Sequence, residues 1–114
     1  MSKLIYVSGP MTGYKNFNFP AFDEAALNLM NKGWRPVNPA NIDRAFGFDG
    51  KEECKVTKQM LGEFLSRDII AISKCDAIFL MKGWQDSKGA NIELDFAKLI
   101  GIEVYEYTQG YPSP

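Results

Sequence analysis

The 114-residue chain contains no histidine, so acid–base chemistry near neutral pH falls to carboxylates whose pKa values are shifted by their surroundings. Glu93 lies one to two turns into a segment of helical spacing, with Ile92, Phe96, Ala97, Leu99 and Ile100 as its core contacts. Asp68 lies in a second, otherwise core-facing helical segment, eight residues before Asp76. Each has an ordinary reading beside the chemical one. Most helix glutamates are solvated, Asp68 can pair with Arg67 or Lys74 on a helix surface, and Asp76 reads as structural, where a strand begins. Two glycine-bearing stretches complete the set. Ser8-Gly9-Pro10-Met11-Thr12-Gly13 follows an apolar run. Glycine there turns the backbone tightly and leaves no side chain between a ligand and the amides, although a hairpin turn is the plainer alternative. Ser87-Lys88-Gly89-Ala90-Asn91-Ile92-Glu93 passes from the end of a strand into a helix. Ser87 there is either a helix cap or, with Lys88 and the first amides, part of an anion site.

The elements that must position these groups follow from periodicity. Residues 3–7 read as a short buried strand. Asn18 is the expected N-cap of a helix that carries Asp23 and Glu24 in its first turn, shows Phe22, Ala25, Ala26, Leu29 and Met30 at helical spacing, and stops at Gly33. Residues 34–37 form a second strand, ended by Asn38-Pro39. Residues 41–55 carry glycines, aromatics and charges without a sustained period and read as a loop over the site. Helical spacing returns at Met60, Leu61, Phe64, Leu65, Ile69 and Ile72, a stripe that serves equally as a core face or an interface. Residues 77–81 form a third strand, residues 91–100 a third helix and residues 102–105 a fourth strand. This alternation predicts a single α/β domain over residues 1–108, an open parallel sheet of four or five strands with helices on both faces, Rossmann- or flavodoxin-like. Residues 109–114, with Pro112 and Pro114, are expected to form a flexible tail. Ligands of such sheets sit beyond the carboxyl ends of the strands, which is where residues 6–13 and 83–93 meet.

Composition narrows the function. The chain is 46% hydrophobic and 24% charged with a net charge of −1, which gives no electrostatic footprint for polymeric nucleic acid or an anionic membrane. No apolar stretch has spanning length, and residues 1–3 lead into a strand rather than a signal peptide. Cys54 and Cys75 lack metal-ligand spacing and are expected as free thiols in a reducing cytoplasm. The carboxylates are too scattered in sequence to argue for a metal cage, and no cofactor is expected.

The order Tyr6-x-x-Gly9-x-x-x-Gly13, Asp68 eight before Asp76, then Ser87-x-Gly89-x-x-x-Glu93 resembles the nucleoside 2-deoxyribosyltransferase superfamily over about the first hundred residues. It is most similar to the 2'-deoxynucleoside 5'-phosphate N-hydrolase branch and, through SGPMTG and NFPAF, to its small phage-type members. The resemblance implies cleavage of the bond between C1' of a deoxynucleotide and its base. Glu93 matches the nucleophile, Asp68 the carboxylate that protonates the departing base, and Tyr6 a tyrosine that positions the nucleophile. Gly9 and Gly13, with Pro10 and Met11 between them and Asn18 beyond, fall on the loop that wraps sugar and phosphate.

In that branch the residue six before the nucleophile is a phosphate-binding serine, whereas the nucleoside transferases carry an aspartate. Ser87 occupies the position here, Asp86 lies one residue earlier, and Gly89 follows. The branch's loop arginine is replaced by Pro10-Met11-Thr12, so Lys15, Lys88 or a second subunit must supply the missing cation. Phe19 and Trp84 are candidates to stack on a base. The resemblance also implies a homodimer whose partner closes part of the pocket. Three readings follow: hydrolysis of a deoxynucleoside monophosphate, base exchange by a deoxyribosyltransferase, or binding of a nucleotide without catalysis.

Overall fold

The computed structural model describes residues 3–50 and 56–114. Four strands, β1 (Leu4–Ser8), β2 (Arg35–Val37), β3 (Ala77–Leu80) and β4 (Glu103–Glu106), form one sheet in the order β2-β1-β3-β4. All three pairings are parallel, with Tyr6 opposite Val37 on one side and Ile78 on the other. The expected flavodoxin-like α/β sheet is therefore present with four strands.

β1 and β3 are buried on both faces, which explains their unbroken apolar sequences. Ile5, Val7, Ala77 and Phe79 point into a core with Phe22, Ala25 and Leu29 of α1 (Phe19–Asn31). Tyr6, Ile78 and Leu80 point the other way, onto Ile72 of α3 (Lys58–Ile72) and onto Leu94 and Ala97 of α4 (Lys88–Ile100). Helices thus cover both faces. The chain leaves β1 for β2 on one side and later returns to β3 on the other. The gap between the ends of β1 and β3 is therefore the topological switch point, where open sheets of this kind hold ligands.

Two local expectations are corrected. Residues 41–55 are not all loop, because Pro39–Ala45 form a further helix, α2. Asn38 caps it by accepting the Ala40 amide at 3.0 Å, and Pro39 occupies its first turn. The Asn-Pro pair that ends β2 thus also starts a helix, one of only seven residues and too short to show a period. Cys54 lies outside the described residues. Asn18 stands at the start of α1 but does not cap it. It adopts a left-handed conformation, as do Asn16 and Phe17, and its Nδ2 donates to the Pro10 carbonyl at 2.9 Å. Asp23 likewise serves tertiary structure. Its carboxylate accepts from Arg44 at 2.8 and 3.0 Å and from Asn38 at 2.9 Å, tying α1 to α2.

Asp76 closes the start of the sheet: its Oδ2 accepts from the Leu4 amide at 2.8 Å while its own amide donates to the Leu4 carbonyl. Beyond β4, Tyr111 stacks on Phe79 with ring centroids 5.2 Å apart, and the Pro112 carbonyl accepts from Trp34 Nε1 at 2.8 Å. The segment expected as a flexible tail thus carries specific contacts with Phe79 of β3 and with Trp34, which precedes β2. Among the described residues no helix is long and apolar enough to cross a membrane.

Candidate active site

At the switch point lies a cavity of about 530 Å³, walled by the loop after β1, the first turns of α4, and residues of α2 and α3. Strand alternation sets its floor. Tyr6 and Ser8 are two apart on β1 and so project to the same face, the one packed by α4. Glu93 comes down from α4 to meet them. Its Oε2 accepts from the Tyr6 hydroxyl at 2.9 Å and its Oε1 from Ser8 Oγ at 2.6 Å. With only 5% of its surface exposed, Glu93 is held in one orientation at the edge of the cavity, which excludes the solvated-helix reading.

Asp68 enters from α3. It is 8% exposed rather than a surface partner of Arg67 or Lys74, and its Oδ1 is buried without a hydrogen-bond partner among the described residues. Burial first, and then the charge of Glu93, raise its pKa to about 9. Burial also raises Glu93, to about 7, against the opposing effect of the hydrogen bonds from Ser8, Tyr6 and Asp68. Of the two, Asp68 therefore holds its proton to higher pH than Glu93. A stronger and a weaker acid thus share one water-poor site.

The loop after β1 supplies Gly9, Pro10, Met11 and Thr12 to the cavity wall. A Cβ on Gly9 would stand 2.9 Å from Met81 Cβ and 3.0 Å from its sulfur, so glycine is required where the ends of β1 and β3 converge. Gly9→Ala is expected to destabilise the fold by ~1–3 kcal/mol through overpacking, read as a lowered midpoint of thermal unfolding. An unchanged midpoint would mean that these strand ends separate freely.

Gly13 and Asn18 do not line the cavity. Gly13 is a left-handed turn residue with φ of 87°, and Asn18 acts at one remove by holding Pro10. Ser87, Lys88 and Gly89 do line it, at the start of α4, as does Asp86. Ser87 Oγ accepts from the Ala90 amide at 3.2 Å, so it caps the helix while its hydroxyl hydrogen is left available to donate. Lys15 is not part of the wall.

The expected stacking residues are replaced by others. Phe19 is buried in the core and Trp84 packs against the core on the α3 and α4 face, its Nε1 donating to Glu106 at 3.3 Å. The aromatic wall of the cavity is instead Phe17, Phe48 and Phe64, with Phe48 4.8 Å from Phe17 and 5.2 Å from Phe64 between centroids. Phe64 and Leu65 thus turn toward the cavity the apolar stripe that sequence left open between core and interface.

Ser8 belongs to the stretch singled out in the sequence, but its bond to Glu93 was not expected; it was legible in principle, as the hydroxyl two residues after a buried tyrosine on one strand. One polar member was not anticipated at all. Asp43, 2% exposed, belongs to the short helix that periodicity missed. Among the described residues no group of three or more His, Cys, Asp or Glu side chains is placed to hold a metal ion.

The fold is similar to that of a 2-desoxiribosyltransferase from Leishmania mexicana, with a TM-score of 0.62 and 17% identity over 92% of this chain. The chain spans 63% of that protein's length. No curated protein matches the sequence. Residues 3–106 match the profile of a domain of unknown function, DUF4406, which takes in every strand and helix described above. The chain belongs to the DUF4406 family.

Proposed function

We propose that this protein cleaves the N-glycosidic bond of a 2'-deoxynucleoside 5'-monophosphate and frees the base. The observation that carries this reading is the pairing, in one cavity, of a buried and doubly anchored Glu93 with a buried Asp68 whose Oδ1 has no partner. A Glu93 carboxylate oxygen attacks C1' as the C1'–N bond breaks. The bonding electrons leave with the base, and the proton on Asp68 passes to it. Asp68, now ionised, then takes a proton from water as the water oxygen attacks C1' and the ester bond to Glu93 breaks. Asp68 is left protonated and Glu93 ionised, as at the start. This is the division of labour of retaining glycosidases. The fold shared with a 2-desoxiribosyltransferase supports chemistry at the same bond.

The phosphate is assigned to the start of α4, where Ser87, Lys88 and the Gly89 amide offer a hydroxyl, a cation and a helix N-terminus. Lys88 takes the place of the missing loop arginine. Chromatography of free base released from nucleosides and their monophosphates tests the reading. Ser87→Ala is expected to lower kcat/KM about 10-fold more for the monophosphate than for the nucleoside, the scale of one hydrogen bond to a charged group. Taking the ratio cancels the ~1 kcal/mol of stability lost with the cap. Equal losses on both substrates would remove Ser87 from the phosphate site. Adding a second free base to the same reaction separates hydrolysis from base exchange, which would yield a new nucleotide.

A further inference from the structure

Asp43 has no part in the chemistry above, yet it is among the most deeply buried side chains of the chain. It lines the cavity, and its Oδ1 has no hydrogen-bond partner among the described residues. The nearest cation, Arg67 Nη2, stands 4.0 Å away, too far for a hydrogen bond. The Arg67 guanidinium lies 4.1 Å from the Phe46 ring centroid and 5.5 Å from that of Phe64, and its Nε is likewise buried without a hydrogen-bond partner among the described residues. Arg67 therefore favours a charge on Asp43 without filling its acceptor sites. A buried carboxylate with an empty acceptor position costs stability unless something completes it.

We propose that Asp43 reads the base, accepting a hydrogen bond from an exocyclic amino group, so that the substrates are nucleotides of amino-bearing bases rather than their oxo counterparts. This rests on the function proposed above and names its substrate class. The surroundings of Asp43 select the base over the other parts of a nucleotide. A phosphate would meet like charge there, and its cation, Lys88, belongs to a different wall. The Asp43 carbonyl accepts from the Phe48 amide at 3.0 Å, which draws Phe48 alongside. Phe48 in turn packs on Phe64. Asp43 thus lines the same cavity as the aromatic wall against which a flat base would lie. An ionised carboxylate only accepts hydrogen bonds. An amino group satisfies it, whereas a carbonyl at the same ring position sets lone pairs against lone pairs.

The test uses pairs that differ only by amino against oxo: dCMP with dUMP, and dAMP with dIMP. Both equilibrium binding by calorimetry and release of free base are measured, on the wild type and on Asp43→Asn. The wild type is expected to favour the amino member of at least one pair by about 10- to 100-fold. Asp43→Asn, whose amide can also donate, is expected to reduce that ratio below about 3-fold or invert it. Equal treatment of both members by the wild type, or a ratio that Asp43→Asn leaves intact, overturns the proposal. Preferential binding of the amino member without any base release supports the role of Asp43 while refuting the catalytic reading. The wild-type ratio stands even if the variant fails to fold.

Discussion

Glu93→Gln should abolish base release, lowering kcat by about 10⁴-fold or more, as loss of a nucleophile does, while the chain stays folded. The amide has nearly the shape of the carboxyl it replaces, but its uncharged oxygen is far too weak a nucleophile to form the ester at C1'. One of the two donors, Tyr6 or Ser8, must turn away from the new amide hydrogens, a loss on the order of 1 kcal/mol. Against this, the variant no longer buries a charge. The folded-state pKa of Glu93 is raised to about 7 by burial, so its contribution to stability is complete below the ordinary glutamate range. That contribution is lost as pH rises through about 7. The unfolding midpoint of Glu93→Gln should therefore gain on that of the wild type between pH 5 and 8. An inactive protein whose relative stability improves with pH is the combined signature. Unchanged turnover would remove Glu93 from the chemistry altogether.

The alternation of strands and helices was legible because β1 and β3 are buried on both faces and so are apolar at every position, while the intervening helices repeat over three or four turns. α2 was not. Seven residues give two turns, and its start, Asn38-Pro39, also reads as the end of a strand. Missing that helix meant missing Asp43. Asp43-Arg44 looks like a surface charge pair in one dimension, yet Arg44 reaches back to Asp23 on α1 while Asp43 turns inward toward Arg67 on α3.

Trp84 failed for a related reason. It follows a glycine in a turn near the rim, and only the structure shows that its ring packs on the core and bonds Glu106 at the end of β4. Glu93 and Asp68 had equal claims to be solvated when judged by spacing alone. Resemblance to a family singled them out, and burial in three dimensions is the independent physical reason to take them together. Asn18 shows the limit of local rules: its type favours a cap, but the left-handed turn at Asn16, Phe17 and Asn18 sends its side chain to Pro10 instead.

Asp68→Asn separates a proton donor from a merely buried polar group. At pH 7 to 8, base release should fall about 10²- to 10³-fold, the range for loss of a general acid. The wild-type rate should rise with pH as Glu93 ionises near 7 and fall as Asp68 loses its proton near 9. In Asp68→Asn the alkaline fall should vanish. The acid limb should remain, because asparagine still offers an N–H toward Glu93. Stability gives a second reading with its own sign. The pKa of Asp68 is raised by burial, so the wild type loses stability as pH climbs through about 9, and the variant, with nothing there to ionise, should overtake it.

Leaving-group chemistry supplies the decisive comparison. From a p-nitrophenyl 2-deoxyriboside 5-phosphate the leaving group departs as a stable phenolate and needs no proton. On that substrate the deficit of Asp68→Asn should shrink to within about 10-fold, since only the assistance that is no longer needed has been removed. A deficit equally deep on both leaving groups would mean that Asp68 shapes the cavity without giving up its proton, and the retaining mechanism would have to find its acid elsewhere.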